Sequence, residues 1–219
     1  MADEYIEGID ISSNQEEVDW TAVKAAGKTF AFVRATLGGH QPDSKFSVNW
    51  PRMKDAGIIR AAYHFFWPAT PWRVQADSFL ETLGPLSPGD LPPALDLEEA
   101  IAKSDPRKHD IWQDIPTNQR LSMVQNWLDT VEDATGLRPI IYTRQNFIEP
   151  LLGGNLGALS TYPLWIAHYG VSKPRIPPAW TSWTFWQYSD QGTAGGVHTP
   201  VDCNRFCGSQ EDVKNLAKN

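Results

Sequence analysis

The stretch Pro92-Pro93-Ala94-Leu95-Asp96-Leu97-Glu98 decides how the rest of the chain is interpreted. Two prolines precede a short apolar run, and the run carries two carboxylates one residue apart. Because side chains alternate between the two faces of a strand, Asp96 and Glu98 share one face and the two leucines share the other. The sequence therefore predicts a buried strand that ends in two acids roughly 6.6–7 Å apart.

Two neighbouring acids on an apolar strand have a chemical use. Burial and a second negative charge both disfavour ionisation, so one carboxyl acquires a raised pKa and serves as a proton donor near neutral pH. Glycoside hydrolysis needs such a donor and a second carboxylate that stabilises or attacks the oxocarbenium-like centre. The pattern also fits a solvated strand end with Glu98 and Glu99 facing water, because structural networks perturb carboxylates too. The stretch alone leaves both interpretations open.

The rest of the chain alternates between strand-like and helix-like segments. Strands are predicted at residues 5–11, 29–36, 58–66, 93–98, 139–143, 163–169, 182–188 and 201–204. Helices are predicted at residues 18–26, 46–56, 71–83, 117–135, 146–152 and 210–218, with Asp19 and Thr117 as N-caps and Pro51 either in the first turn or breaking its helix. Repeated strand–helix alternation is typical of parallel βαβ units. We therefore predict an α/β fold, an irregular, TIM-like β/α barrel of about eight strands with helices mainly in the first two-thirds.

Composition narrows the class of protein. A chain of 219 residues fits one α/β barrel, so we expect a single catalytic domain over residues 1–219. The net charge of −7, with lysines and arginines scattered singly, argues against a nucleic-acid partner. No apolar run approaches the ~20 residues of a membrane helix, and the first twenty residues, acidic and without an apolar core, show no secretory signal. We expect a monomer that does not insert into membranes.

Aromatic and sulfur residues add two observations. Ten tryptophans is a high count, and flat rings are what pyranose sugars stack on, although most buried aromatics only fill cores. The two cysteines, Cys203 and Cys207, are too few for a disulfide scaffold or a four-ligand zinc site. Their spacing does not decide between a local bridge and two thiols.

Acidic residues recur near the ends of the predicted strands. Asp10, Asp96, Glu98 and Asp202 all lie there, and the carboxyl ends of barrel strands line one mouth. His64 and Tyr142 occupy comparable positions, and Arg34 is a candidate countercharge for one acid. Each also has an ordinary alternative: Asp10 as a turn cap, His64 as a core histidine, Asp202 as an acceptor of backbone N–H groups.

A series of short segments, in order along the chain, resembles the Chalaropsis-type muramidases of glycoside hydrolase family 25. These segments are EGIDISSNQ, FAFVRAT, AAYHFFWP, PALDLE, PIIYT, LWIAHY, TFWQYSDQGTAGGV and VDCNRF. Each is weak alone, but the ordered set spans residues 6 to about 208 and is highly specific. The resemblance implies a modified β/α barrel that hydrolyses the β-1,4 bond between N-acetylmuramic acid and N-acetylglucosamine. It names the glycan strands of bacterial peptidoglycan as partner and calls for no cofactor or metal.

The resemblance also assigns roles by position. Glu98 matches the proton donor, and Asp96 matches the carboxylate that orients the substrate N-acetyl group as an internal nucleophile, with net retention. Asp10 and Asp202 match the other two acids, with less settled roles, and a direct enzymic nucleophile is the alternative. The groove residues implied are Tyr63, His64, Tyr142, Trp165 and the segment Trp186-Gln187-Tyr188, beside Arg34. Cys203 and Cys207 depart from the usual apolar and asparagine-like residues, and a bridge between them would stiffen the loop behind Asp202.

Other functions remain alternatives at this point. A catalytically inactive glycan-binding module would keep the barrel and the aromatic groove but not all four acids. A zinc amidase would need clustered histidines, whereas the five histidines are isolated in the sequence. Another polymer of N-acetylglucosamine would suit the same chemistry. Action is expected outside the cytoplasm on the bacterial wall, by a route of export that the sequence does not reveal.

Overall fold

The computed structural model describes residues 5–154 and 156–217. At its centre, eight strands form a closed barrel in which each strand pairs with the next and the last pairs with the first. The strands are β1 (Tyr5–Ile11), β2 (Phe30–Leu37), β3 (Ile59–Phe65), β4 (Ala94–Asp96), β5 (Ile140–Thr143), β6 (Leu164–Ala167), β7 (Phe185–Gly192) and β8 (Val201–Cys207). This architecture confirms the predicted irregular β/α barrel, and every predicted strand is present. The single-domain assignment stays a prediction.

Helices surround the first part of the barrel more completely than the last part. They are α1 (Trp20–Ala25), α2 (Phe46–Asp55), α3 (Trp72–Leu83), α4 (Thr117–Thr135), α5 (Gln145–Leu151) and α6 (Gln210–Leu216). Between α5 and α6, the described residues contain one short 3-10 helix and no α-helix. None of the helices in the described part of the chain is both long and apolar enough to cross a membrane.

Two helix details differ from the sequence prediction. Pro51 lies in the middle of α2 and does not end it, because the carbonyl that its missing N–H leaves free belongs to exposed Ser47 and can bind water. Thr117 is the first residue of α4 rather than its cap; Pro116 occupies the cap position and makes no side-chain hydrogen bond. Asp19, by contrast, caps α1 as predicted, accepting hydrogen bonds from the backbone N–H groups of Thr21 and Ala22.

The last strand runs against the others. β8 is antiparallel to both β7 and β1, whereas the remaining neighbours pair in parallel. In the β1–β8 register, Asp10 lies opposite Asp202 and Tyr5 lies opposite Cys207. Asp202 therefore reaches the mouth from the amino end of its strand, not from a carboxyl end as the parallel pattern predicted. The reversed direction brings it to the same place.

The barrel interior is filled with aromatic rings. Phe32 stacks on Trp165 with centroids 3.9 Å apart, and Phe185 packs edge-on against Phe32 at 5.0 Å. Gly8 belongs to the same layer, because a Cβ there would lie 2.5 Å from the ring of Phe30. At the end opposite the mouth, Val213 of α6 packs into this interior cluster. A solid interior leaves the mouth as the place for a ligand.

The two cysteines are not bridged. Cys203 and Cys207 lie four residues apart in one extended strand, which separates their Cα atoms by roughly 13 Å, well beyond the reach of a disulfide. The Cys203 thiol is buried, and burial raises its pKa. Asp202 is therefore held by strand pairing and not by a covalent bridge.

Candidate active site

A cleft of about 540 Å³ opens at the carboxyl end of the parallel strands. All four acids singled out in the sequence lie in its wall, together with Arg34, Tyr63, Tyr142 and Trp165. Further lining residues are Ile11, Ser12, Asn14, Gln15, Leu37, Gln41, Phe65, Trp67, Ile101, Lys103 and Gln187. The barrel thus brings together residues from β1, β2, β3, β4, β5, β6, β7 and β8.

Asp10 and Asp202 form one side of the cleft and share a proton. The carboxylate Oδ2 of Asp10 accepts hydrogen bonds from Nε2 of Gln187 at 2.8 Å and from Nδ2 of Asn204 at 2.7 Å, and the Asp202 carboxyl also hydrogen-bonds to Asp10. Burial and the neighbouring Asp10 charge raise the pKa of Asp202 to about 9. Burial also raises the pKa of Asp10, but its hydrogen-bond donors oppose that shift. Near neutral pH, Asp202 therefore holds its proton and donates it in the hydrogen bond to Asp10.

Asp96 lies at the end of β4, deep in the cleft. Burial raises its pKa well above the ordinary value, and the negative charges of Glu98 and Asp10 add to the shift, while Arg34 and Arg144 oppose it. Its Oδ1 atom is buried and has no hydrogen-bond partner among the described residues. Asp96 therefore presents an acceptor without a protein donor, which is a costly state that a bound N–H group would relieve.

Glu98 contacts the end of β5 through an arginine. Nη2 of Arg144 donates to Oε2 of Glu98 at 3.0 Å and to Oε2 of Glu99 at 2.6 Å. Burial raises the pKa of Glu98; Arg144 lowers it, and the negative charge of Glu99 raises it again. Glu99 therefore competes with Glu98 for the positive charge of Arg144, which would otherwise favour the ionised form of Glu98. The net upward shift makes Glu98 the partly exposed acid suited to donating a proton.

Tyrosine, tryptophan and amide groups join the two sides of the cleft. The hydroxyl groups of Tyr142 and Tyr169 both donate to Oε1 of Gln187, at 2.8 and 2.6 Å. Nε1 of Trp165 donates to Oδ1 of Asn204 at 2.8 Å. Gln187 and Asn204 in turn donate to Asp10. The oxygen of each amide accepts from an aromatic side chain, so its nitrogen is fixed as the donor to that carboxylate.

Arg34 and Tyr63 also line the cleft. Arg34 forms an ion pair with Asp43 at 2.8 Å, and its Nη2 donates to Oγ of Ser13 at 3.2 Å. Its charge lowers the pKa of both Asp96 and Tyr63, although burial raises each of them on balance. Arg34 therefore influences the pKa of Asp96 through its charge, while its ion pair is with Asp43, which is not one of the four acids.

The structure places His64 outside the cleft, which corrects its assignment as a sugar-contacting residue. Its side chain points from β3 toward the helices, where Nδ1 pairs with Oγ1 of Thr36 at 2.7 Å and Nε2 pairs with Oε1 of Gln75 at 2.9 Å. The ring stacks on Trp127, 5.4 Å away. Full burial lowers the pKa of His64 to about 4, so the ring is neutral near pH 7. His64 is the core histidine that was the ordinary alternative.

Trp186 and Tyr188 are also misplaced by the sequence analysis. Both side chains leave β7 on the outer face of the barrel: Nε1 of Trp186 donates to the carbonyl of His168 at 2.8 Å, and the hydroxyl of Tyr188 donates to Oε2 of Glu7 at 2.9 Å. Arg205 lies over both rings, at 5.6 and 4.4 Å from their centroids. Between them, Gln187 points inward. The sequence therefore predicted the correct strand for the groove, but the aromatic side chains lie on the other face of it.

Three polar residues of the site were not identified from the sequence: Arg144, Tyr169 and Asn204. Alternation offered a signal for one of them, because Asn204 stands two residues after Asp202 on the same face. Arg144 and Tyr169 lie just after β5 and β6. Their positions depend on the conformation of the following loops, which hydrophobic periodicity does not predict.

The arrangement can protonate a leaving oxygen and stabilise a positive centre. A carboxyl with a raised pKa, such as that of Glu98, can donate a proton, and a hydrogen-bonded acid such as Asp10 can supply negative charge in the same cleft. No group of three or more His, Cys, Asp or Glu side chains within residues 5–154 and 156–217 is arranged to hold a metal ion.

Comparison with known proteins identifies related sequences and folds. Residues 9–197 match the family described as Glycosyl hydrolases family 25. Lysozyme M1 of Streptomyces globisporus is 36% identical over 217 residues, which cover 98% of this chain and 72% of that protein. An N,O-diacetylmuramidase of Chalaropsis sp is 30% identical over 220 residues, covering 97% of this chain and 99% of that protein. A bacterial lysozyme from Streptomyces coelicolor, solved by crystallography, aligns over 97% of this chain and 96% of its own, with 36% identity and a TM-score of 0.88.

Proposed function

The chain belongs to glycosyl hydrolases family 25, and from this premise we propose how its four acids carry out the reaction. It is a glycoside hydrolase, a muramidase that cleaves peptidoglycan at the β-1,4 bond between N-acetylmuramic acid and N-acetylglucosamine. The observation that supports the proposed roles best is the position of Asp10, Asp96, Glu98 and Asp202 in one cleft. Burial raises the pKa of all four, but the charges and hydrogen-bond partners around each acid differ, and we assign their roles from those differences.

Glu98 is the proton donor. Its carboxyl is partly exposed in the cleft, and burial and Glu99 raise its pKa. It transfers its proton to the glycosidic oxygen as the bond from that oxygen to C1 of N-acetylmuramic acid breaks. The N-acetylglucosamine side leaves as an alcohol, and Glu98 is left as a carboxylate next to Arg144, which stabilises the new charge.

The substrate's own N-acetyl carbonyl oxygen forms the new bond to C1. Asp202 is a poor nucleophile because its raised pKa keeps it protonated, and Asp10 is a poor one because its carboxylate already accepts three hydrogen bonds. Asp96 accepts the N–H of the acetamido group at its unpartnered Oδ1 and so orients the carbonyl toward C1. This arrangement favours substrate assistance over a direct enzymic nucleophile, an exception to the two-carboxylate scheme.

Water completes the reaction. The Glu98 carboxylate takes a proton from a water molecule, the water oxygen attacks C1, and the bond from C1 to the acetyl oxygen breaks. Two displacements at C1 restore the original anomeric configuration. Retention is therefore the expected outcome. Through both steps, the Asp10–Asp202 pair stays in place and stabilises the positive charge that develops near C1.

The site of action follows from the substrate. Peptidoglycan lies outside the cytoplasm, so the enzyme acts there on the glycan strands of the bacterial wall. A monomer suffices, because the cleft is built from a single chain. No observation favours an inactive glycan-binding module or a different N-acetylglucosamine polymer over the muramidase.

Analysis of the products tests the bond and the stereochemistry together. Purified peptidoglycan is digested, and the new reducing ends are reduced with borohydride and identified by mass spectrometry. Muramitol ends are expected; glucosaminitol ends would contradict the assigned bond. Proton NMR of the first product formed should show the β-anomer before mutarotation, whereas the α-anomer would exclude retention.

A further inference from the structure

A second pocket adjoins the catalytic cleft beyond Glu98. It has a volume of about 360 Å³ and is lined by Arg144, Gln145, Asn146, Ala167, His168, Tyr169 and Arg175. Two contacts form the boundary with the cleft: Arg144 with Glu98 at 3.0 Å, and Tyr169 with Gln187 at 2.6 Å. The pocket therefore lies within reach of a side arm carried by a ligand in the cleft.

The charges of the two compartments are opposite. The cleft contains four acids, whereas none of the described residues that line the adjoining pocket is a carboxylate. Arg144 is balanced by Glu98 and Glu99, but Arg175 is exposed and forms no ion pair with any carboxylate among the described residues. In a chain with a net charge of −7, this is a local positive site.

Hydrogen-bond donors surround that charge. The backbone N–H of Arg175 donates to Nδ1 of His168 at 3.0 Å, so in the neutral ring the hydrogen is on Nε2, which is then a donor. The side-chain amides of Gln145 and Asn146 add further donors. An arginine with neighbouring N–H donors and no competing acid suits a carboxylate.

We propose that this pocket binds the carboxylate-bearing arm of muramic acid, and that Arg175 is its principal contact. The inference rests on the proposed function and extends it, because N-acetylmuramic acid differs from N-acetylglucosamine by a lactyl group on O3 that bears either a free carboxylate or a short peptide with carboxylates of its own. Both forms offer the same chemistry. The pocket would then distinguish muramic acid from glucosamine at the sugar next to Glu98.

Three glycan preparations distinguish the ligand: strands with their peptides, strands stripped to the lactyl carboxylate by an amidase, and stripped strands whose lactyl groups are converted to N-methylamides. Arg175→Ala is compared with Arg52→Ala, an exposed arginine on α2 that lines a different cleft and likewise forms no ion pair among the described residues. Arg175→Ala should lower kcat/KM about fivefold to tenfold on the carboxylate-bearing strands and leave the N-methylamide unaffected. Arg175→Lys should restore part of the loss.

The pattern of loss identifies the source of the carboxylate. A loss on peptide-bearing strands alone assigns the pocket to the peptide, and an equal loss on stripped strands assigns it to the lactyl group. The proposal is overturned if Arg175→Ala matches Arg52→Ala on both carboxylate-bearing substrates, or if it loses as much on the N-methylamide. Failure of the wild-type enzyme to cleave any preparation would contradict the proposed function instead. Circular-dichroism melting checks that the variants fold.

Discussion

Carboxylates and arginines occur at both ends of the barrel, but their hydrogen bonds are complete at one end and incomplete or shared at the other. At the end away from the cleft, Arg60 grips Asp90 with two hydrogen bonds of 2.7 and 3.0 Å, donates to the carbonyl of Trp50 at 2.6 Å, and lies 3.9 Å over the Trp50 ring. The backbone N–H of Ser87 also donates to Asp90. At the mouth, Asp96 is buried with one unpartnered oxygen, and Glu98 shares its arginine with another acid.

This difference separates a structural site from a reactive one. Asp90, whose two oxygens both accept from protein donors, stabilises the fold at the end of the barrel away from the cleft. A carboxylate that lacks partners, or shares them with other acids, costs stability and retains a proton. Four experiments test whether the two ends divide in this way.

The largest expected effect is on catalysis at the mouth. Glu98→Gln removes the proton donor while preserving its shape, so kcat should fall about a hundredfold to ten-thousandfold, with a melting temperature equal to or above that of the wild type. Release of soluble muropeptides measures the rate. Glu81→Gln, an exposed residue on α3, serves as control. A folded Glu98→Gln variant with near-normal turnover would remove the basis for the assigned role.

The opposite end should show the converse effect. Asp90→Ala leaves the buried Arg60 charge unpaired and should destabilise the fold by about 3–5 kcal/mol in urea unfolding, while the folded fraction keeps normal kcat. Asp77→Ala breaks the exposed pair with Arg73 and should cost about 0.5 kcal/mol or less. Equal losses in the two variants would show that burial does not distinguish these ion pairs.

A smaller effect concerns the pH profile. Glu99→Gln frees Arg144 for Glu98 and removes a negative charge, so the pKa of Glu98 should fall and the alkaline limb of kcat/KM should move to lower pH. Arg144→Gln should move the limb to higher pH. Asp96, Asp10 and Asp202 also face Glu98 and are unchanged in both variants. Shifts in the same direction would show that Glu99 does not act through Arg144.

The smallest effect is on stability near neutral pH. A carboxyl with a folded pKa of about 9 binds a proton that the unfolded chain has released above pH ~4, so Asp202 makes the wild type less stable as pH rises from 4 toward 9. Asp202→Asn should remove that decline, with a gain on the order of 1 kcal/mol at pH 8, since the group is partly exposed and shares its proton with Asp10. Thermal melts from pH 5 to 9 measure it; a constant difference between the proteins would contradict the shared proton.

Strand ends could be predicted from the sequence because apolar runs and turn residues mark them. Asp10, Asp96 and Glu98 could therefore be placed at the mouth from the sequence alone. Asp202 was placed there for a reason that was partly wrong, because local sequence does not report whether a strand runs parallel or antiparallel to neighbours far away in the chain. Its pairing with Asp10 fixes its position instead.

The face of the strand on which each side chain lies was harder to predict. Tyr63 and His64 are adjacent in β3, so alternation allows only one of them to point into the cleft, and the same holds for Gln187 and its two aromatic neighbours. Hydrophobicity did not indicate which side chain points into the cleft, because the barrel interior carries polar side chains at the mouth and the outer face is buried under helices. The partners of His64 come from β2, α3 and α4, and such long-range packing is not visible in a local pattern.

The pairing of Tyr5 with Cys207 places the beginning of β1 beside the end of β8, on the floor of the molecule and a full strand length from the cleft. The first strand therefore begins, and the last strand ends, on the side away from the sugar chain. An enzyme held by that side on a solid support would keep its mouth directed outward, open to an insoluble polymer.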